Sequence, residues 1–148
     1  MSDASDQPRG VLRIERTFDA PAQAVFDAWT SVEVLRRWWH AEHDWETPHA
    51  EVDLRVGGTI QATMRNPDDG TEYGGRGEFT VVAPPERLVF TWTWDDVPGS
   101  QLIEVDFRER DGRTTVTLTH RGLDIESREE YRDGWDKSFD NLDRALTA

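Results

Sequence analysis

The chain has 148 residues, no cysteine and a formal net charge of −13 at pH 7. The length fits one domain, and the lack of thiols excludes disulfides and cysteine nucleophiles and favours a reducing compartment, so we expect a cytoplasmic protein. The negative charge argues against a nucleic-acid partner, and the sequence has no apolar run near the roughly 20 residues that span a bilayer, so we expect no membrane partner.

Residues 1–10 are polar and predict a flexible N-terminus before a single domain over residues 11–148. The first predicted strand places Leu12, Ile14 and Phe18 on one side and polar side chains on the other. This period of two is typical of a strand with one buried face.

Two short helices are predicted between the first and second strands. Pro21 suits the first turn of one helix, and Thr30 with Glu33 has the spacing of a capping box for the other. Apolar side chains recur on one face of both helices. They are Ala22, Val25, Phe26, Trp29, Leu35, Trp38 and Trp39.

Six further stretches with a period of two follow, most of them separated by turn signals such as Gly57-Gly58 and Asp111-Gly112. The turns are too short for helical crossovers, so the pattern predicts an antiparallel meander that is covered on one face. The predicted inward side chains are Ala50, Val52, Leu54, Ile60, Ala62, Met64, Phe79, Val81, Phe90, Trp92, Trp94, Ile103, Val105, Phe107, Val116, Leu118 and His120.

A long amphipathic helix is predicted from about residue 127 to residue 146. Its apolar stripe has to pack on the dry face of the sheet. We therefore predict an α+β helix-grip fold, in which a curved seven-stranded antiparallel sheet wraps around the C-terminal helix. The stripe consists of Tyr131, Trp135, Phe139, Leu142 and Leu146.

Seven segments that span nearly the whole chain resemble one known family in the same order. They are residues 16–30 (RTFDAPAQAVFDAWT), 35–39 (LRRWW), 51–58 (EVDLRVGG), 64–70 (MRNPDDG), 84–94 (PPERLVFTWTW), 116–123 (VTLTHRGL) and 134–142 (GWDKSFDNL). The family is named for the activator of the ninety-kilodalton heat-shock protein's ATPase and belongs to the START-like, birch-pollen-allergen-like (SRPBCC) superfamily. The resemblance implies a helix-grip fold and functions that include hydrophobic-ligand transport, polyketide cyclisation and docking on a chaperone.

This sequence departs from the family pattern near the double tryptophan. His40-Ala41 stands where Gly-Pro is common, and Val32 stands where a proline is usual. The loop that follows, residues 40–48, is therefore individual to this chain, and its ligand preference is not implied by the resemblance.

The predicted pocket rests partly on glycines. Tyr73, Gly75 and Gly77 share an inward strand phase, and the two glycines either leave space for a ligand or let the sheet bend. Gly134 lies beside Trp135 on the long helix, where glycine costs about 1 kcal/mol relative to alanine. Either close approach of the sheet or a pocket mouth would offset that cost.

Seven tryptophans exceed what packing alone needs, so we expect two or three of them to contact a cavity and their N–H groups to find partners or a ligand acceptor. A small hydrophobic molecule is the expected ligand. The candidate ligand-binding residues are Trp29, Trp38, Trp39, Met64, Tyr73, Gly75, Gly77, Trp92, Trp94, Phe107, His120, Gly134, Trp135 and Phe139.

Metal binding is a weaker interpretation of the loop that contains His40, Glu42, His43 and nearby His49. Imidazole and carboxylate suit zinc or nickel, but the spacing matches no known zinc motif. We predict no metal site and no cofactor.

Catalysis has only weak candidates: His120 as an acid or base, Tyr73, and Arg16 as a carboxylate clamp. The alternatives are a backbone hydrogen bond for His120 and an ion pair with an acid such as Asp27 for Arg16. The sequence does not decide whether the protein is an enzyme, and it favours a non-enzymatic role.

Three functional hypotheses follow. The leading one is non-enzymatic binding of a lipid, sterol or aromatic polyketide-like molecule between the sheet and the C-terminal helix. The second is a co-chaperone-like or stress-response interaction module with a chaperone partner. The third is a cyclase or hydrolase of a hydrophobic substrate. The sequence is compatible with a monomer or a homodimer.

Overall fold

A computed structural model describes residues 10–147. The predicted flexible N-terminus, residues 1–10, lies outside the described residues except for Gly10. In chain order the elements are β1 (Val11–Phe18), α1 (Ala22–Thr30), α2 (Val32–Trp38), β2 (Glu46–Val52), β3 (Thr59–Arg65), β4 (Glu72–Ala83), β5 (Arg87–Trp94), β6 (Gln101–Arg110), β7 (Arg113–Arg121) and α3 (Arg128–Thr147).

The seven strands form one antiparallel sheet in the order β1-β7-β6-β5-β4-β3-β2. Consecutive strands from β2 to β7 are neighbours because short turns connect them. β1 pairs with β7, with Leu12 opposite His120 and Ile14 opposite Leu118. The long helix α3 packs on the concave face, so the predicted α+β helix-grip fold is confirmed.

The turn between β6 and β7 shows how local sequence sets the register. Asp111 and Gly112 have φ values of 54° and 78°. Two consecutive positive φ values define the turn that best suits a two-residue hairpin, and Asp-Gly is one of the dipeptides that adopts it. The predicted hairpin forms, with Arg110 opposite Arg113.

The inward phases hold in β5, β6 and β7 but shift at two other places. A register irregularity between Phe79 and Val81 lets Val82 pack against the core instead of Val81. Leu54 is 40% exposed because β2 ends at Val52, so the prediction that it faces inward is wrong.

The junction of the short helices differs from the predicted capping box. Helix α1 continues to Thr30, whose hydroxyl donates to the carbonyl oxygen of Phe26 at 3.1 Å. A threonine inside a helix makes this backward bond instead of a cap. Ser31 therefore precedes α2, without a side-chain cap bond.

Helix α3 presents the predicted stripe to the sheet. Trp135, Phe139 and Leu142 are buried, while Tyr131 and Leu146 at the two ends are partly buried. Within residues 10–147, no helix combines the length and the apolar composition needed to cross a membrane.

Strand β4 approaches β5 so closely at Gly77 that a Cβ atom there would overlap the carbonyl oxygen of Thr91. We expect Gly77→Ala to lower the free energy of unfolding by about 3 kcal/mol, because backbone atoms have to move. Urea denaturation measures this. The neighbouring exposed Glu78→Ala should change stability by no more than about 0.5 kcal/mol. Equal stability of the two variants would contradict the close approach.

Candidate functional site

Aromatic rings from the short helices, the sheet and α3 fill the space behind the concave face. Trp29 lies at their centre, stacked on Trp135 with ring centroids 5.9 Å apart and in edge contact with Trp38 at 4.6 Å. Trp39 contacts Trp92 at 5.2 Å. We call this group the aromatic core. It consists of Trp29, Trp38, Trp39, Trp92, Phe107, Trp135 and Phe139.

Neighbouring groups lie directly against Gly75 and Gly77 in β4, so these glycines do not line an open space. A Cβ atom on Gly75 would lie 2.5 Å from the indole of Trp92, and at Gly77 the backbone of Thr91 occupies the place of a side chain. The interpretation that these glycines leave room for a ligand is therefore wrong for this structure. The observed reason, close approach of Trp92 and of the Thr91 backbone, was not among those predicted for these two glycines.

Gly134 also permits a close approach, but not to the sheet. A Cβ atom there would lie 3.3 Å from the Cβ atom of Ala41, in the segment that follows α2. The expectation that Gly134 faces the sheet or a pocket mouth is corrected accordingly. The individual loop after the double tryptophan, not the sheet, is the neighbour of this glycine.

Two of the buried indole N–H groups in residues 10–147 donate to protein acceptors, as expected. Trp38 donates to the carbonyl oxygen of Ala28 at 2.9 Å, and Trp135 donates to Nδ1 of His120 at 3.0 Å. The fully buried N–H of Trp29 has no hydrogen-bond partner within residues 10–147. An unmatched buried donor costs about 1–3 kcal/mol, so the aromatic core contains one uncompensated polar group.

His120 is buried at the end of the inward face of β7. Because Nδ1 accepts from Trp135, Nε2 carries the proton and donates to Oε1 of Gln101 at 2.7 Å. Burial lowers the pKa of His120 to about 4, so the ring is neutral at pH 7. Both nitrogens have protein partners, which fits a structural role better than the predicted acid or base.

A series of hydrogen bonds continues from His120 through Gln101 to Tyr131, near the N-terminal end of α3. The amide nitrogen of Gln101 donates to the hydroxyl of Tyr131 at 3.2 Å, and the indole N–H of Trp94 donates to the same oxygen at 2.9 Å. Within residues 10–147 the Tyr131 hydroxyl has no acceptor for its own hydrogen. The sequence placed Tyr131 only on the apolar stripe, so its polar role was missed.

The partly exposed end of the concave face forms the candidate binding surface. Tyr73 is 42% exposed and stacks on Trp45, with centroids 5.4 Å apart and planes 1° from parallel. Tyr73 lies opposite Met64, and two residues further along β4 the sheet neighbour is Trp94. We call this surface the aromatic rim. It consists of Trp45, Met64, Tyr73, Trp94 and Tyr131.

The rim contains three of the candidate residues, Met64, Tyr73 and Trp94, whereas most of the predicted ligand-binding aromatics lie in the filled core. Trp45 was not among the candidates. The sequence offered one signal for Trp45, because a tryptophan in a polar loop between a helix and a strand usually packs against a partner. Only the tertiary structure places its ring on Tyr73.

Arg16 forms an ion pair with the long helix. Its guanidinium donates to Oδ1 of Asp140 at 2.6 Å and to the carbonyl oxygen of Asp136 at 3.2 Å, and it lies 5.8 Å from the centroid of Phe139. The predicted ion-pair alternative is therefore observed, but the acid is on α3 instead of Asp27. Through these two hydrogen bonds Arg16 connects β1 to α3.

The loop histidines considered for metal binding have separate partners. His43 bonds to Asp140 at 2.9 Å and His49 to Glu51 at 3.0 Å, while Glu42 accepts from Lys137 at 2.9 Å. Among residues 10–147, no group of three or more His, Asp or Glu side chains is arranged to hold a metal ion.

The neutral state of His120 makes stability depend on pH. Its folded pKa of about 4 lies below the ordinary 6.5, so the unfolded chain binds more protons between these values. The contribution is full above pH 6.5 and is lost as pH falls towards 4, by up to about 3 kcal/mol. We measure the free energy of unfolding by urea denaturation across this pH range. For His120→Gln we expect it to depend less on pH than for the wild type. A profile as steep as that of the wild type would contradict the assignment, and exposed His49→Gln is the control.

Both the sequence and the fold of this chain are similar to those of known proteins. The family model described as Activator of Hsp90 ATPase homolog 1-like protein matches residues 19–147. The human activator of 90 kDa heat shock protein ATPase homolog 1 is 21% identical over 134 residues, which are 89% of this chain and 35% of the human protein. The chain thus spans about a third of the length of the curated relatives it matches.

Solved structures share the whole fold. A protein from Chromobacterium violaceum has a TM-score of 0.87 at 22% identity, covering 94% of this chain and 98% of its own. The AHSA1 protein from Silicibacter pomeroyi has a TM-score of 0.81 at 30% identity, covering 93% and 97%. Since the family model covers most of the sequence, this chain belongs to the family of Activator of Hsp90 ATPase homolog 1-like proteins.

Proposed function

We propose that the protein binds a small hydrophobic molecule at the aromatic rim. The observation that carries this proposal is a partly exposed aromatic surface next to a hydroxyl whose hydrogen has no acceptor in residues 10–147. Binding sites for small molecules commonly combine apolar walls with a few placed polar groups. Because aromatic side chains fill the interior, the proposal places the ligand at the outer end of the interface.

The rim favours a flat molecule with a hydrogen-bond acceptor. The rings of Trp45 and Tyr73 are parallel, so a planar ligand can extend the stack, which adds about 0.5–1.5 kcal/mol beyond area burial. A carbonyl or ether oxygen on that ligand would accept the hydrogen of Tyr131. An aromatic polyketide-like molecule matches both features, whereas a sterol or fatty acid matches only the apolar wall.

Quenching of tryptophan fluorescence tests this proposal. We expect saturable quenching with a flavonoid and weaker or no quenching with a fatty acid or a sterol. Tyr73→Ala should weaken flavonoid binding about tenfold because it removes the stacked ring. Since Tyr73 is 42% exposed and lies outside the aromatic core, the variant should stay folded. The control is Val56→Ala, an exposed apolar residue in the turn between β2 and β3, at the opposite end of the β3–β4 pairing from Tyr73. Unchanged affinity of Tyr73→Ala would remove the proposal.

Family membership favours a second candidate, a co-chaperone-like interaction module. The human relative is named as an activator of a heat-shock ATPase, and this chain corresponds to about a third of it. The acidic surface, with a net charge of −13, is compatible with a basic partner face. Cytoplasmic location and the choice between monomer and homodimer stay predictions.

An ATPase assay with a bacterial chaperone of the ninety-kilodalton class tests this second candidate. We expect the full chain to stimulate hydrolysis, and higher salt to reduce the effect because the proposed contact is electrostatic. A pull-down at the same salt concentrations provides the binding control. If the chain neither stimulates hydrolysis nor is captured at low salt, this second function is eliminated. That outcome would not affect the proposal of ligand binding at the rim.

A further inference from the structure

A recess lies away from the rim, between α2, the loop after it and the C-terminal half of α3. Its volume is about 270 Å³. Tyr131 of the rim and Arg144 of this recess are separated by roughly 20 Å along α3, at 1.5 Å per residue. The recess is therefore a separate site. Its lining residues are Arg37, His40, His43, Asn141, Arg144 and Ala145.

Two arginines give this recess a positive charge within an acidic protein. The chain has 30 Asp and Glu against 17 Lys and Arg. Nevertheless, among residues 10–147 neither Arg37 nor Arg144 has a carboxylate within ion-pair distance. Arg144 donates instead to the amide oxygen of Asn141. Guanidinium groups bind oxyanions well through paired N–H donors, so the recess suits a small anion.

The buried His40 adds a hydrogen-bond acceptor to these donors. The hydroxyl of Thr47 donates to the carbonyl oxygen of Trp39, so its oxygen accepts from Nδ1 of His40 at 3.0 Å. Nε2 therefore carries the lone pair, and it has no hydrogen-bond partner within residues 10–147. His40 is only 6% exposed, and it lines the recess together with Arg144.

Burial and the neighbouring guanidinium of Arg144 keep His40 in that neutral form. Burial, and next the guanidinium of Arg144, lower the pKa of His40 to about 4, so its ring is neutral at pH 7. Arg37 from α2 adds a second positive charge. On the outer side, Asp140 of α3 is bonded to His43 and Arg16, so its negative charge is partly balanced.

The recess thus combines two cationic donors with one neutral acceptor. Hydrogen phosphate carries charged oxygens and one O–H group at neutral pH, whereas sulfate carries only acceptors. We propose that this recess binds free hydrogen phosphate, whose charged oxygens contact Arg37 and Arg144 and whose O–H donates to Nε2 of His40. The net charge of −13 opposes approach to an anionic membrane, which favours a soluble source over a lipid headgroup.

Calorimetric titration of the full chain with inorganic phosphate and with sulfate, at equal ionic strength and pH 7.5, tests this proposal. We expect phosphate to bind about tenfold more tightly than sulfate. Arg144→Gln and Arg37→Gln should each weaken phosphate binding about tenfold. The matched control is Arg113→Gln, which removes the same charge from an exposed position at the start of β7 and should leave the affinity unchanged.

His40→Asn tests the acceptor. Asparagine retains an N–H for Thr47 but removes Nε2, so phosphate affinity should fall to that of sulfate while sulfate affinity stays constant. Thermal unfolding reports whether the variant folds, and if it does not, the two arginine variants decide the matter. Equal affinity of the wild type for the two anions would overturn the proposal, as would an equal loss in Arg113→Gln.

A vesicle arm separates the two sources of phosphate. We expect no co-sedimentation of the protein with vesicles that contain phosphatidic acid, under conditions in which free phosphate binds. The proposal of a soluble ligand would be overturned if the wild type co-sedimented with the vesicles, Arg144→Gln abolished this co-sedimentation, and free phosphate did not bind.

Discussion

The contact between Trp29 and Trp135 joins the parts of the molecule that are far apart in sequence. A sheet with one apolar face has to be covered, and α3 supplies the cover only if large rings fill the gap that curvature leaves. Trp29 comes from α1 and Trp135 from α3, and both rings also contact Trp39. The aromatic core therefore holds the short helices, the long helix and the sheet in one arrangement.

Polar groups then orient α3 within this apolar contact. The indole of Trp135 packs in the core while its N–H bonds to His120, and the chain continues through Gln101 to Tyr131. Dispersion and area burial are nondirectional, so hydrogen bonds of this kind select one rotation of the helix. The ion pair between Arg16 and Asp140 holds the C-terminal half of the helix against β1.

This arrangement separates two surfaces of different chemistry along α3. Its N-terminal end meets the aromatic rim, where rings are exposed because the core ends there. Its C-terminal end meets the recess of Arg37 and Arg144, where the neutral His40 contributes an acceptor. The individual loop after α2 participates in both the packing of Gly134 and the lining of the recess. This loop supplies two of the six residues that line the recess, His40 and His43, and the helices supply the other four.

The sequence by itself determined the order of elements, because periodicity and turn chemistry are local properties. The alternation in β6 and β7, the Asp111-Gly112 turn and the stripe of α3 are all found as predicted. It also determined the family, through segments spread along the chain. The capping box at Thr30 was wrong because the extent of α1, not the spacing, decides which group its hydroxyl meets.

Only the tertiary structure decided whether space remains between the sheet and α3. Gly75 has the same sequence signal whether a ligand or Trp92 occupies the volume beside it, since that volume depends on side chains from other strands. The partner of Arg16, the ring that stacks on Trp45 and the joint recess of Arg37 and Arg144 likewise depend on residues distant in sequence. Periodicity assigns a side chain to a face, but the three-dimensional packing alone determines what lies against that face.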